Sequence, residues 1–214
     1  MMKLDVRANR EFYLPRLQEF TGHQAVGWGS RESQERRFAA LVRICSDWSG
    51  ISILDVGCGT GDLLAYMRLK SIYANYTGLD ALPDSIKVCT ERFPGIKFAS
   101  VPVTEFTTPQ PPAHYDYVVA SGVFNLKGPN YHQVMLDSVE AMWRLATRGI
   151  AINFLTDQAS DMSNYICEFV SPTERLQELQ ELTKTRRWAM YQDYLPNDFT
   201  IHLFKPDAEW PPLR

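Results

Sequence analysis

Three glycines and two carboxylates carry the strongest chemical signal in this chain. The segment Asp55-Val56-Gly57-Cys58-Gly59-Thr60-Gly61-Asp62 follows a short apolar run and precedes DLLAYMRL, which reads as a helix. A glycine loop between strand and helix can cradle a ligand. Gly57 and Gly59 permit a tight turn and let a ligand approach the backbone, and Gly61 permits close strand–helix packing. Asp55 stands before the first glycine, on the strand end itself. A carboxylate there suits an ammonium group and would repel a pyrophosphate. Asp80 ends the next strand candidate, YTGLD, where a carboxylate can accept hydrogen bonds from ribose hydroxyls. Together these residues suit an adenosine that bears an amino-acid tail.

Other residues could act on a second substrate. His23, His114, His132 and His202 are the histidines. His23 lies in a glycine-rich lead-in, His132 in the first turn of a helix, His114 before a strand and His202 within one. Asn125, on the loop after the fourth strand candidate, is placed to orient an acceptor, and Tyr194 is a further candidate. The sequence alone ranks none of His23, Asn125 and Tyr194 as catalytic. Acids near the loop have other duties, so no metal site is expected. Aromatic residues in 10–28 and 157–170 could line an apolar pocket.

The elements that must position these groups alternate. ISILDV (51–56), YTGLD (76–80), IKFAS (96–100), YDYVVA (115–120) and GIAINFLT (149–156) read as buried parallel strands. Ser30 is expected to cap a helix bearing Phe38, Leu41, Val42 and Cys45. Pro83 opens another. Asn130 to Gln133 reads as a capping box before Met135, Val139, Met142 and Ala146, and Ser171-Pro172-Thr173-Glu174 as a second one. Residues 187–195 and 199–205 form a predicted antiparallel hairpin. Residues 1–29 show no sustained periodicity. The fold class is α/β, with a doubly wound, mostly parallel sheet and helices on both faces. Ligands bind such sheets at the carboxyl ends of the strands, near the switch point. A lead-in or cap over 1–48 and a single domain over 49–214 are expected.

The totals narrow the partners. With 214 residues and a net charge of −3, nothing attracts a phosphate backbone over long range. Nucleic acid is therefore not an expected partner, and a small molecule is. Cys45, Cys58, Cys89 and Cys167 are widely and irregularly spaced, which suits reduced thiols. No apolar run reaches the length of a membrane span. A cytoplasmic protein is the expectation, with its oligomeric state open.

ILDVGCGTGDLL and YTGLDALPDSIKVCTERFP resemble the first two motifs of the class I, seven-stranded S-adenosylmethionine-dependent methyltransferases. The resemblance covers about residues 50–156. It implies that Asp55, Gly57, Cys58, Gly59 and Gly61 surround the methionine part of S-adenosylmethionine. It gives Asp80 to the ribose, and Ala81, Leu82, Val101 and Val103 to the adenine. It puts Ser121 beside the cofactor, with S-adenosylhomocysteine as product. Val101-Pro102-Val103 stands where many members carry an acid for the adenine amino group. The acid-or-Asn-Pro-Pro-aromatic motif of base-methylating members is absent after the fourth strand. SGVFNLK, GIAINFLTD and YQDYLPNDFTIHLFK look like a little-described group of small bacterial methyltransferases. GWGSRESQERRF resembles that group's lead-in, so Trp28 and Arg37 could cover the cofactor, Arg37 by pairing with its carboxylate. Competing functions remain at this point, among them transfer of the cofactor's aminopropyl or carboxypropyl arm in place of its methyl, and two of other classes. One is a nicotinamide- or flavin-dependent oxidoreductase, whose G-x-G-x-x-G spacing differs from the G-x-G-x-G here. The other is a non-catalytic or sensing module that binds the cofactor without turnover.

Overall fold

Ile53, Leu54 and Val56 are apolar on both sides of a five-residue run, as a strand covered on both faces must be. The computed structural model, which describes residues 6–20, 22–27, 29–107, 115–159, 162 and 166–208, places β1 (Ser52–Val56) at the centre of one sheet. Around it lie β2 (Asn75–Asp80), β3 (Lys97–Ser100), β4 (Tyr115–Ala120), β5 (Ala146–Thr156), β6 (Phe169–Val170), β7 (Trp188–Tyr191) and β8 (Asp198–Phe204). The order is β3-β2-β1-β4-β5-β8-β7, with β6 beside β5. The first five of these run parallel, and β8 lies antiparallel between β5 and β7. The chain reverses its order of strand addition between β1 and β4, so the switch point falls at the tip of β1.

The helices are α1 (Val6–Glu19), α2 (Arg31–Val42), α3 (Asp62–Leu69), α4 (Pro83–Arg92), α5 (Tyr131–Leu145) and α6 (Pro172–Thr183), with a 3-10 turn at Gly22–Gln24. One core gathers Phe38 and Leu41 of α2, Leu63 and Met67 of α3, and Ile53 of β1. The other gathers Met135, Val139 and Met142 of α5, Leu176 and Leu179 of α6, and Leu54 and Val56 of β1. Alternate residues of β1 thus enter opposite cores, and helices cover both faces.

Ser30 and Ser171 cap as expected, each accepting a hydrogen bond from the N–H three residues on. Three expectations need correction. Asn130 makes no capping bond: it adopts the left-handed conformation at φ 55°, not the extended one in which an N-cap side chain reaches the first turn. Ala146 opens β5 instead of closing α5. The sheet has eight strands, since β5 extends past the end of β4 and β6 pairs there with Leu155 and Thr156. The largest departure is α1, in a stretch read as aperiodic. Pro15 inside it and its scattered polar residues hide the period.

Candidate active site

Asp55 and Asp80 reach neighbouring strand tips because β1 and β2 pair in parallel register, Asp55 opposite Gly78 and Val56 opposite Leu79. Asp55 is buried, and its Oδ2 accepts the Tyr76 hydroxyl at 2.5 Å. Burial pushes its carboxyl up to about 7; Asp80 and Asp62 add to this, and the Tyr76 hydrogen bond works against it. Asp80 Oδ2 accepts the Gly59 N–H at 2.9 Å and Oδ1 the Leu82 N–H at 2.8 Å. Burial raises Asp80 also, offset by those two amides. Each of its oxygens keeps a free lone pair.

The loop between the acids has no room for side chains. Gly57 has φ +70°, and a Cβ there would stand 2.4 Å from Val123 Cγ2. Gly59 has φ +54°, and its Cβ would stand 2.9 Å from Val26 Cγ1. Cys58 N–H donates to Leu79 O at 2.9 Å, which ties the loop to β2. This is a bare backbone cradle with a carboxylate at each side. It fits the adenosyl amino acid that the sequence suggested.

A cavity of about 430 Å³ opens over the loop. Its lining includes Asp55, Gly57 to Gly59, Asp80 to Leu82, and Val101 to Thr104. Val101 N–H donates to Asp80 O at 3.0 Å, which brings that segment to the tip of β2. Further lining comes from α1 through Phe12, Tyr13 and Leu17, and from the loop after β4 through Val123 to Pro129. Tyr131, Leu155, Ile166, Cys167 and Phe169 add to it. A short backbone ladder stiffens the wall after β4. Lys127 N–H donates to Ile166 O and Glu168 N–H to Asn125 O, both at 2.9 Å, and Leu126 bridges Cys167.

Of the residues singled out by sequence, the cavity gathers Asp55, Gly57, Cys58, Gly59, Asp80, Ala81, Leu82, Val101, Val103, Ser121, Asn125 and Arg37. Gly61 stands behind the loop at φ +81°, where a Cβ would meet Phe93 at 2.7 Å, so its work is helix–strand packing. Arg37 borders the cavity, but its guanidinium grips Asp198 through two bonds of 2.5 Å. The sequence reading gave this guanidinium to a cofactor carboxylate; in the folded chain its Nε and Nη2 hold Asp198. Tyr194 is buried away from the cavity, its hydroxyl 2.8 Å from Thr200 Oγ1. His23 lies on the 3-10 turn outside the lining. Trp28, His114 and Tyr165 fall outside the described residues. His132 pairs with Glu178 on the surface, and His202 is fully buried. Sequence reasoning did not single out Asn9 or Leu17, although it expected a lead-in or cap over 1–48. It did anticipate aromatic lining from 10–28, which Phe12 and Tyr13 supply.

Comparison with known proteins agrees with this geometry. Residues 54–149 match the family described as Methyltransferase domain. Rv1506c of Mycobacterium tuberculosis, a methyltransferase by name, is 28% identical over 166 residues, covering 75% of this chain and 96% of its own. Magnesium protoporphyrin IX methyltransferase from Synechocystis PCC 6803, solved with bound S-adenosylmethionine, superposes with TM-score 0.64 at 15% identity over 95% of this chain and 98% of that one. The plantazolicin methyltransferase BpumL, solved with a triazolic desmethylPZN analog and S-adenosylhomocysteine, gives TM-score 0.62 at 19% identity over 82% of this chain and 86% of that one. Residues 54–149 carry a methyltransferase domain, and the chain has the fold of the S-adenosylmethionine-dependent methyltransferases it superposes on.

Proposed function

We propose that the chain transfers the methyl group of S-adenosylmethionine directly, in line, to a small-molecule acceptor held in the same cavity. The observation that carries this reading is the pair Asp55 and Asp80, on adjacent strand tips with the bare Gly57–Gly59 bend between them, all on one cavity. The cofactor would supply a methyl already activated on a sulfonium, so the protein's contribution is placement.

Each residue then has a duty. Asp80 accepts from the ribose hydroxyls with the lone pairs its amide bonds leave free. Asp55 faces the amino group. Gly57, Cys58 and Gly59 admit the methionine part against the backbone. Ala81, Leu82, Val101 and Val103 flank the adenine, and Ser121 stands beside the sulfur end. The lead-in of residues 1–48 covers the site through Phe12, Tyr13 and Val26. Among the described residues, no helix is long and apolar enough to cross a membrane. The four cysteines are all free thiols, in keeping with a cytoplasmic setting.

Calorimetric titration with S-adenosylhomocysteine tests the assignment. Asp80→Ala removes charge-assisted bonds worth about 1.5–3 kcal/mol each, so the dissociation constant should rise at least tenfold. An unchanged constant would take Asp80 out of the site.

A further inference from the structure

Asp55 lines the cavity with one carboxylate oxygen engaged and the other open. The Tyr76 hydroxyl donates to Oδ2 at 2.5 Å. Among the described residues no group donates to Oδ1, and that atom is not sealed from solvent. The strand register produces this arrangement. Asp55 lies opposite Gly78, and Tyr76 is the diagonal neighbour on the same face of the sheet. Gly78 has no side chain to come between them; a Cβ there would stand 2.7 Å from Phe98 Cδ1 and 2.9 Å from Cys58 Sγ. The Tyr76 ring is buried, with Phe98 edge-on at a centroid distance of 6.1 Å. A ring locked by packing holds its hydroxyl in one place.

We propose that Tyr76 is a positioning residue of the cofactor site: its hydroxyl engages Asp55 Oδ2 and thereby presents Oδ1 to the ammonium group of the cofactor's amino-acid tail. This role rests on the placement of Asp55 proposed above. The hydrogen bond acts in two ways. It fixes the last torsion of the carboxyl group, which is otherwise loose. It also favours the ionised form, against burial, the largest influence, which pushes the carboxyl up to about 7. Asp80 of β2 and Asp62 of α3 push in the same direction as burial. Cys58 of the loop is held as a neutral thiol by its hydrogen bond with Cys89 of α4 and by burial. Arg37 of α2 is engaged with Asp198, and β4 places the uncharged Val119 opposite Asp55. Among these groups Tyr76 alone favours the carboxylate through direct contact. Burial and the Asp55 charge push the Tyr76 hydroxyl itself far up, so it stays a donor across the neutral range.

The test measures dissociation constants against pH for two probes. S-adenosylhomocysteine carries the ammonium group, and 5′-methylthioadenosine lacks the amino-acid tail. In wild type, affinity for S-adenosylhomocysteine should fall as pH drops below about 7. Tyr76→Phe keeps the ring and removes the donor. It should move that fall to higher pH by about one unit or more and leave 5′-methylthioadenosine affinity unchanged. A fluorotyrosine at position 76, a stronger donor in nearly the same volume, should move the fall to lower pH, and it decides the matter even where Tyr76→Phe does not fold. In an Asp55→Asn background, Tyr76→Phe should change neither probe. An S-adenosylhomocysteine profile that neither replacement moves, equal losses for both probes, or an undiminished Tyr76→Phe effect in the Asp55→Asn background would overturn the proposal. Failure of wild type to bind S-adenosylhomocysteine at any pH would instead remove the cofactor reading, and this proposal with it.

Discussion

Two groups of buried polar residues lie on the α2–α3 side of the sheet, and they are built to opposite ends. At the tips of β1 and β2, Asp55 and Asp80 are desolvated yet face an open cavity with lone pairs to spare. Beneath α2, Arg37 grips Asp198, Tyr194 meets Thr200, and His202 Nε2 lies 2.9 Å from Ala40 O. The second group ties a helix to β8 with an ion pair and hydrogen bonds inside the protein. The first faces the cavity. Burial by itself therefore does not mark a functional residue; unspent hydrogen-bonding capacity facing a cavity does.

The sharpest way to break this comparison is to remove one carboxylate from each group. Asp198→Ala leaves the Arg37 charge buried without its partner and should cost about 3–5 kcal/mol in denaturant unfolding. Asp80→Ala removes a carboxylate that burial holds in a raised state, and should cost little stability while cofactor affinity falls. Replacing both Arg37 and Asp198 by apolar residues of similar volume should recover much of the single-variant loss. Equal destabilisation by Asp198→Ala and Asp80→Ala would erase the distinction.

A smaller effect separates the groups by pH. Burial pushes His202 down to about 3, so the folded protein holds it neutral while the unfolded chain takes a proton near 6.5. Its contribution is present above pH 6.5 and is lost as pH falls towards 3, by roughly 3 kcal/mol at pH 4. Asp55 runs the other way. Its folded value of about 7 lies above the unfolded one, so its contribution is present below pH 4 and is lost as pH rises through 7. The two oppose each other between pH 4 and 6.5. His202→Gln, which keeps a donor for Ala40 O, should gain stability toward acid relative to wild type. Asp55→Asn should lose it. Unfolding free energies across that window check both, and parallel curves for the two variants would refute the assignment of opposite signs.

The sequence made the site more legible than its surroundings, for physical reasons. Asp55, the glycines and Asp80 sit on local strand–loop–helix units, so spacing along the chain already determines their spacing in space. Ser171 and Pro172 mark a helix start by local chemistry, and the structure keeps it. Arg37 depends on a partner 161 residues away, which no local pattern reveals. The two-residue β6 is too short to have a period, yet with the loop after β4 it lines the cavity. In α1, the residues that matter touch the cavity, and its remaining surface is polar enough to blur the helical pattern.

With Asp55 beside the cofactor's amino group, as proposed, cofactor binding would be tied to pH. Below pH 7 its carboxyl is protonated, and an ammonium group beside it favours the ionised form. Binding of S-adenosylhomocysteine should therefore release a proton, and affinity should fall by up to about tenfold per unit below pH 7. Titrations in buffers of different ionisation enthalpy read the released proton directly. Asp55→Asn should bind more weakly at pH 8 and show a flat profile. No comparable dependence is expected from the Arg37–Asp198 group, whose charges face each other.

The smallest effect is a control that lies in neither group. Lys184 ends α6 in the left-handed region at φ 57°, with its N–H donating to Gln180 O at 2.8 Å. A side chain there costs about 1 kcal/mol relative to glycine, which adopts this conformation freely. Lys184 stands far along the chain from Asp55 and Asp80, and it does not line the cavity. Lys184→Gly should therefore raise unfolding stability by about 1 kcal/mol and leave S-adenosylhomocysteine affinity and its pH profile where they were. If a gain of that size also tightened cofactor binding, the cavity would be coupled to global stability. The weak binding of an Asp80 variant would then need to be measured against its own unfolding curve before it could be assigned to the lost carboxylate.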